Sequence, residues 1–272
     1  MVTHCVMHYI GHYDYVSVMC CVIGFAMHHA TPCVCEVVIH WESQEDAMPI
    51  IVAANPKGGS GKSTTCIVLG TTLASQGASV RIIDADPQRT LARWSEGNSV
   101  YREIVVTPSA TEDLTDLIDR LQAEYQFVLI DVQGTANQEM VAAMSRADLV
   151  LIPMQAKTAD ADVATRAIKL LRTQESLFKR SIPHAIVFIR TSPIIITREE
   201  KEIRNNIEAA GIPRFTASLN ERTAFSHMFA YKNALVELNS KETNGLEAAQ
   251  INAVELTAEM VQLLRKQMVA MA

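Results

Sequence analysis

The stretch Asn55-Pro56-Lys57-Gly58-Gly59-Ser60-Gly61-Lys62-Ser63-Thr64 decides how this sequence is interpreted. An apolar run, residues 50–54, precedes it, and an amphipathic helical stretch, residues 62–75, follows it. The glycines let the backbone curl so that successive amide groups point inward at phosphate oxygens, and the start of the helix adds a positive dipole end. A glycine-rich segment between a strand and a helix therefore predicts a loop that binds the phosphates of a nucleotide.

Individual residues of the loop have distinct predicted roles. Lys62 places a point charge on the β- and γ-phosphates, the Ser63 hydroxyl is a Mg²⁺ ligand, and Thr64 reaches the α-phosphate. The remaining cradle is formed by Gly58, Gly59, Ser60 and Gly61. ATP is favoured over GTP because the sequence contains no Asn-Lys-x-Asp guanine signature. ATP and Mg²⁺ are therefore the predicted cofactors.

From Met48 onward, apolar runs alternate with helical stretches. The predicted strands are residues 50–54, 80–83, 104–107, 127–130, 149–153, 185–189 and 215–219. The predicted helices are residues 62–75, 91–96, 114–125, 138–146, 161–178, 198–210, 224–231 and 245–268. Strands that are apolar on both faces and separated by helices indicate an α/β fold, with a doubly wound, mostly parallel sheet covered on both sides.

Residues 1–47 differ from the rest of the chain in composition. They contain no Lys or Arg, but five of the six cysteines and six of the eight histidines. No pair with zinc-site spacing is joined to a second pair, so the pattern does not define a metal site. We expect translation to begin at Met48, with residues 1–47 an extension without a selected fold. An accessory tail and a metal-binding segment stay open as alternatives, and residues 48–272 are predicted to form one domain.

Further motifs follow the loop in a fixed order. A second lysine, Lys57, opens the loop; one strand ends in Asp84-Ala85-Asp86-Pro87-Gln88, another ends at Asp131, and residues 149–153 form the next. Together these motifs resemble the ParA/MinD family of P-loop NTPases with a deviant Walker A loop. The resemblance covers residues 48–155 and is strongest to small plasmid-type, ParF-like members and to the ParA-like DNA-processing protein of tumour-inducing plasmids.

The resemblance implies roles for residues outside the glycines. Lys57 reaches across a nucleotide-sandwich dimer to the partner's phosphates, much as an arginine finger supplies charge in trans. Asp86 positions the attacking water, Asp84 supports the Mg²⁺ side, and Asp131 holds Mg²⁺ through water. The predicted catalytic residues are therefore Lys57, Asp86 and Asp131, and the predicted Mg²⁺ site consists of Ser63, Asp84 and Asp131.

The sequence departs from small ParA proteins directly after Asp131. Where those proteins often continue with Thr-Pro-Pro, this chain reads Val132-Gln133-Gly134-Thr135. Gly134 can still offer its amide to the γ-phosphate and is counted among the predicted nucleotide-binding residues. The departure leaves the prediction of nucleotide binding unchanged. It concerns only the details of hydrolysis, and of its stimulation by a partner, that the resemblance implies.

Basic residues concentrate in the middle-to-late part of the chain. Residues 157–232 carry 13 basic and 8 acidic side chains, whereas residues 48–156 carry 8 and 12. Such a cluster can neutralise phosphates without reading bases, which gives salt-sensitive DNA binding. An ordinary solvated surface is the alternative, since Asp162 and Arg166, like Glu200 and Arg204, have the spacing of helical ion pairs.

The DNA-binding candidates are Arg166, Lys169, Arg172, Arg190, Arg204 and Arg222. For two of them, Arg190 and Arg222, the alternative is that they face the nucleotide or the dimer partner instead of DNA.

The residues and the resemblance together predict an ATPase that dimerises on ATP binding and partitions or positions DNA. Its predicted partners are non-specific DNA and a ParB-like or relaxosome protein, and its predicted location is the cytoplasm, in association with the nucleoid. A metabolic P-loop synthetase is one alternative. The other is a MinD-like membrane switch, which would use the apolar stripe of the last helix, although such a stripe more often docks on the sheet. That stripe consists of Leu256, Met260, Leu263, Leu264 and Met268, with Arg265 and Lys266 beside it.

Overall fold

The computed structural model describes residues 48–133 and 137–271, together with two short strands, Val18–Met19 and Glu36–Val37, which pair antiparallel. The chain divides into two units, Met1–Glu45 and Asp46–Ala272. The predicted role of residues 1–47 stays a prediction, because the cysteines and histidines of that segment lie outside the described residues.

One parallel sheet of seven strands forms the centre of the second unit. The strands are β1 (Ile50–Ala53), β2 (Val80–Ala85), β3 (Val105–Val106), β4 (Phe127–Val132), β5 (Leu149–Met154), β6 (His184–Thr191) and β7 (Leu219–Asn220). Their order is β3-β2-β4-β1-β5-β6-β7, and every neighbouring pair is parallel. The prediction of a mostly parallel, doubly wound sheet is therefore confirmed.

Helices cover both faces of this sheet. They are α1 (Lys62–Ser75), α2 (Thr90–Ser95), α3 (Leu114–Gln122), α4 (Gln138–Arg146), α5 (Thr158–Phe178), α6 (Arg198–Ala209), α7 (Thr223–Tyr231) and α8 (Leu246–Met271). The apolar sides of α3, α4, α5 and α6 join one buried cluster with the strands. Elsewhere α1 packs against α2 and α8, and α7 packs against α8. The strands are consequently buried on both faces, as their uniformly apolar sequences indicated.

The predicted strand 215–219 is wrong for most of its length. Only Leu219–Asn220 forms a strand, β7. The backbone N–H groups of Thr216 and Ala217 instead donate to the carboxylate of Glu259 in α8, at 2.6 and 2.7 Å. A distant side chain satisfies the backbone at this point, and a local apolar pattern cannot reveal such a partner.

The short helix α2 links the end of β2 to α7. The Asp84 carboxylate accepts the N–H groups of Leu91 and Ala92, at 2.9 and 2.8 Å, in the first turn of α2. Farther along the same helix, the buried indole of Trp94 donates through Nε1 to the carbonyl of Met228 in α7, at 3.0 Å. Because α2 has only six residues, these contacts rather than its own length fix its position.

The apolar stripe of α8 belongs to the core. Leu256, Met260 and Leu264 are at most 1% exposed, and α8 packs against α1 and β7. These three side chains are therefore not available to insert into lipid, while the side chain of Met268 lies outside the described residues. In the part of the chain that the structure describes, no helix is long and apolar enough to cross a membrane.

Candidate nucleotide-binding site

The glycine-rich loop lies at the carboxyl ends of the parallel strands, which we call the nucleotide-binding edge of the sheet. It leaves β1 at the centre of the sheet and leads into α1 at Lys62. Gly61 has a φ of 84°, and a Cβ at this position would lie 2.5 Å from Cδ1 of Ile189 on β6. Gly59 has a φ of 70°, whereas Gly58 faces open space. Glycine is therefore favoured at position 61 by the positive φ of the turn, and a Cβ there would also displace the end of the Ile189 side chain.

Lys62 is folded into the loop that it follows. Its side chain is buried, and Nζ donates to the carbonyls of Asn55 and Lys57 at 3.3 and 3.4 Å. Asn55 in turn braces the loop, because its Nδ2 donates to the carbonyl of Pro153 at 2.7 Å and its Oδ1 accepts the N–H of Lys57 at 2.8 Å. An ammonium has three donors, so one is left for a phosphate oxygen. The bracing role of Asn55 was not predicted, although the residue belongs to the quoted loop.

Ser63 and Asp131 meet beside the loop. The hydroxyl of Ser63 donates to Oδ2 of Asp131 at 2.5 Å. Asp131 is fully buried, and its Oδ1 has no hydrogen-bond partner among the described residues. A buried carboxylate oxygen is costly without a partner, and a cation or its water is a suitable one. This pair therefore fits Mg²⁺, which Ser63 would bind directly and Asp131 would hold through water.

The electrostatics of this edge also favour a cation. Burial raises the pKa of Asp131 to about 7; the hydrogen bond from Ser63 opposes this rise, and the charge of Asp84 adds to it. Burial likewise raises the pKa of Asp84, against the effect of its backbone hydrogen bonds. The two acids are register partners on β2 and β4. A divalent cation beside them would offset their mutual repulsion.

Asp84 and Asp86 have contacts beyond their predicted roles. Besides binding the two amides of α2, Asp84 accepts the N–H of Asp86 through Oδ1 at 3.2 Å. Asp86 accepts the N–H of Gln88 at 2.8 Å and lines a groove of about 410 Å³. The Mg²⁺-supporting role of Asp84 and the water-positioning role of Asp86 stay predictions. Gly134 lies outside the described residues.

Lys57 forms an ion pair with Asp160 in the first turn of α5. The acid is 2% exposed and also accepts the N–H of Gln155 at 3.1 Å. Sequence reasoning missed Asp160 because it lies 103 residues after Lys57 and no motif marks it. The single chain therefore holds Lys57 by itself, and the reach of Lys57 across a dimer stays a prediction.

A cavity of about 460 Å³ opens beside the loop, between β6, β7 and α7. Gly61 and Thr64 line its end at the loop, and Phe225 belongs to its apolar wall. Arg190 and Arg222 also line it, and the buried Nε of Arg222 has no hydrogen-bond partner in the described part of the chain. An apolar cavity with a few polar groups next to a phosphate loop suits a nucleoside. These two arginines are therefore better placed for the nucleotide than for DNA.

Three of the other DNA-binding candidates share one exposed side of α5. Arg166, Lys169 and Arg172 are all exposed, and none forms an ion pair within residues 48–133 and 137–271. The ion pair that the spacing of Asp162 and Arg166 suggested is not formed there. These three charges are therefore available to an external anion.

Arg204 is not available in the same way. Its side chain is 18% exposed, binds Glu200 at 2.8 Å and Ser218 at 2.9 Å, and lies over the ring of Phe188 at 4.3 Å. The guanidinium therefore fastens α6 to the sheet. The prediction that Arg204 contacts DNA is not supported, because its charge is already bound inside the chain.

Comparison with known proteins agrees with this geometry. A family model described as ATPase MipZ matches residues 49–185. "Protein ParA" of Rhizobium radiobacter is 35% identical over 222 residues, which cover 80% of this chain and 100% of that relative. The chain belongs to the ParA/MinD family of ATPases.

More distant ParA/MinD-type proteins are similar over most of the chain. "Protein virC1" of Rhizobium radiobacter is 27% identical over 192 residues, which cover 66% of this chain and 80% of that relative. The solved structure of a putative plasmid partition protein from Borrelia burgdorferi B31, bound to AMPPNP, matches with a TM-score of 0.56 at 20% identity. That match covers 76% of this chain and 97% of the Borrelia protein and supports the same fold.

Membership in the ParA/MinD family confirms the predicted ATPase activity, the cofactors ATP and Mg²⁺, and a place in DNA partitioning at the level of the family. Proteins of this family generally dimerise and interact with partner proteins and DNA. When bound, Mg²⁺ neutralises the charge that develops on the transferred phosphoryl group. In this chain Lys62 would bind the phosphates, and Ser63 and Asp131 would hold the cation; these roles stay predictions.

Proposed function

We propose that this protein is an ATP-controlled switch that partitions or positions DNA. ATP and Mg²⁺ bring two copies together, the dimer binds DNA without sequence preference, and hydrolysis separates the copies again. A ParB-like or relaxosome protein is the proposed partner that stimulates hydrolysis, and the DNA-bound dimer is proposed to reside on the nucleoid.

The observation that carries the proposal is the exposed basic stripe of α5, defined as Arg166, Lys169 and Arg172. These side chains bind no acidic partner among the described residues. Lysine and arginine on such a stripe neutralise phosphates and release their counterions, which gives affinity without base reading. The excess of basic residues in 157–232 places this stripe in the most positive part of the chain.

Helix α5 carries the stripe and also the acid that binds the phosphate loop. Asp160 in the first turn of α5 binds Lys57 of the loop, and Arg166 follows six positions later in the same helix. With a rise of about 1.5 Å per residue, the stripe begins roughly 9 Å along the helix from Asp160. If Lys57 left Asp160 on dimerisation, the change would therefore act on the helix that carries the proposed DNA-binding charges.

A salt series of DNA binding tests the proposal. Fluorescence anisotropy of two duplexes of unrelated sequence is measured with AMPPNP and Mg²⁺, and again with ADP. We expect binding only with AMPPNP, at equal affinity for both duplexes. Arg166→Ala, Lys169→Ala and Arg172→Ala should each make the slope of log affinity against log salt shallower by about 0.9 for each copy of the chain that contacts the DNA, and so by about 1.8 for a dimer that uses both copies.

Lys241→Ala is the matched control, since Lys241 is an exposed lysine outside α5, and its slope should equal that of the wild type. Unchanged slopes in all three α5 variants, or a preference for one duplex, would contradict the proposal. The membrane alternative has no comparable support, because Leu256, Met260 and Leu264 of its proposed stripe are buried.

A further inference from the structure

Three consecutive isoleucines are exposed in the connection between β6 and α6. Ile194, Ile195 and Ile196 are 88%, 65% and 65% exposed, and we call them the isoleucine loop. Runs of large apolar side chains on a surface are unusual, and contiguous apolar surface marks an interaction site. We therefore expect a binding partner to cover this loop.

Local hydrogen bonds hold the isoleucine loop in shape. The hydroxyl of Ser192 accepts the N–H groups of Ile194 and Ile195, at 3.3 and 3.1 Å. At the other end, the hydroxyl of Thr197 caps α6 by accepting the N–H of Glu200 at 3.1 Å. A loop fixed at both ends presents its apolar side chains with little ordering cost on binding.

One end of the isoleucine loop lies next to the nucleotide cavity, and the other end contacts the start of α5. On one side, Arg190 lines the cavity next to the phosphate loop. On the other side, the carboxylate of Glu199 accepts the N–H and the hydroxyl of Thr158, both at 2.9 Å, at the start of α5. Two residues farther along α5, Asp160 holds Lys57. The three isoleucines therefore lie at the nucleotide-binding edge of the sheet, in the neighbourhood of Lys57.

We propose that the isoleucine loop packs against a second copy of this chain in the ATP-dependent dimer. The inference rests on the dimeric switch proposed above. The isoleucines lie on the side of the sheet where the nucleotide binds, so a second copy placed against that side would come under the direct control of the nucleotide. A two-fold axis there brings the same loop from both copies into one interface and removes the apolar side chains from water.

The charges next to the loop disfavour a lipid surface as the occupant. Residues 198–202 read Arg-Glu-Glu-Lys-Glu, with two basic and three acidic side chains. Loops and helices that bind anionic lipid combine apolar side chains with an excess of Lys and Arg. Mixed charge around an apolar centre is instead the composition of a protein–protein interface.

The test uses the full chain and the triple variant Ile194→Ser, Ile195→Ser, Ile196→Ser. Sedimentation velocity with AMPPNP and Mg²⁺ measures dimerisation, and titration with a fluorescent ATP analogue measures nucleotide affinity. We expect the wild type to dimerise and the triple variant to require a protein concentration about 100-fold higher. Its nucleotide affinity, measured at a protein concentration at which both proteins are monomeric, should stay within about twofold of the wild type, because none of the three isoleucines lines the cavity beside the phosphate loop.

Val100→Ser with Leu177→Ser is the matched control. These side chains are 77% and 68% exposed but precede β3 and β6, and so lie toward the opposite edge of the parallel sheet. The double variant should dimerise like the wild type. A dimer weakened equally in this control would show that any loss of exposed apolar surface has the same effect, and would overturn the proposal.

The other outcomes separate the inference from the proposed function. Normal dimerisation of the triple variant would overturn the inference alone, whereas a wild type that stays monomeric with AMPPNP would overturn both. Loss of nucleotide affinity in the triple variant would assign the loop to the nucleotide site instead. Flotation with vesicles of equal parts phosphatidylcholine and phosphatidylglycerol is the last arm: binding that the triple variant loses while it still dimerises would assign the loop to lipid.

Discussion

The ammonium group of Lys57 is bound by the carboxylate of Asp160 in the same chain. The acid is 2% exposed in the first turn of α5, whereas the lysine is 42% exposed at the rim of the phosphate loop. A role of Lys57 on the partner's phosphates therefore requires it to exchange Asp160 for a phosphate. The exchange leaves the buried carboxylate of Asp160 without its cationic partner, so the ion pair opposes it by on the order of 1 kcal/mol or more.

Asp160→Asn should tighten the ATP-dependent dimer by about fivefold or more, because it releases Lys57 from its competing partner. Asparagine keeps an oxygen for the N–H of Gln155. Sedimentation velocity with AMPPNP over a range of protein concentrations measures the change. Glu96→Gln, which removes an acid from the exposed pair with Lys232, should leave the dimer unchanged. A weaker dimer in Asp160→Asn would mean that the acid positions Lys57 rather than competing for it.

Lys62→Ala and Lys57→Ala should separate binding from hydrolysis. Lys62 lies buried in the loop with a donor left for phosphate, so its loss should abolish ATP binding. Lys57→Ala should keep much of the binding but slow hydrolysis roughly 100-fold or more, as expected for a charge supplied in trans. Titration with a fluorescent ATP analogue and a phosphate-release assay give the two values. Normal hydrolysis by Lys57→Ala would refute the cross-dimer role.

Asp131→Asn should stabilise the ligand-free protein increasingly as the pH rises. The folded pKa of about 7 lies above the ordinary value of 3.8, so between these values the folded state retains a proton that the unfolded state loses. Wild-type stability therefore falls as the pH rises through this window, whereas asparagine does not ionise.

The gain from Asp131→Asn should be on the order of 2–3 kcal/mol larger at about pH 8 than at about pH 5. Urea unfolding in EDTA at the two pH values measures it. Asp119→Asn removes an acid from the exposed pair with Arg146 and should give no gain at the higher pH. Equal gains for Asp131→Asn at both pH values would show that the carboxylate carries no burial penalty.

Arg204→Ala should lower the free energy of unfolding by about 2–4 kcal/mol, because it leaves the buried carboxylate of Glu200 unpaired and exposes the ring of Phe188. Arg198→Ala removes an arginine of the same helix whose pair with Glu202 is exposed, and should change stability by less than about 0.5 kcal/mol. Urea unfolding compares the two. Equal effects of both substitutions would contradict the structural role of Arg204.

The phosphate loop and the acidic strand ends could be predicted because each is a local pattern. The glycines before Lys62, and the apolar runs that end at Asp84 and Asp131, can be read without knowing what lies opposite them. The parallel sheet then brings Asp84 and Asp131 into register, which follows from the fold class.

The roles of Asp160 and Arg204 could not be predicted from local sequence patterns. Asp160 acts through a lysine 103 residues away, and an acid in the first turn of a helix already has an ordinary explanation in the helix dipole. Arg204 entered the DNA-binding set because a count of charges does not show where the counter-charges lie. Glu200 and Arg204 have the spacing of a helical ion pair, and this pair forms. Asp162 and Arg166 have the same spacing but form no pair, so only the packing distinguishes the two cases.

The short helix α2 joins the two ends of the nucleotide site. Its first amides are held by Asp84 at the hydrolytic end, and Trp94 in the same helix binds Met228 of α7, whose Phe225 and Phe229 line the cavity at the other end. One short helix therefore connects an acid of the predicted Mg²⁺ site to the wall of the cavity that suits a nucleoside. A displacement of Asp84 would therefore be transmitted through α2 to α7, and from there to the far wall of the cavity.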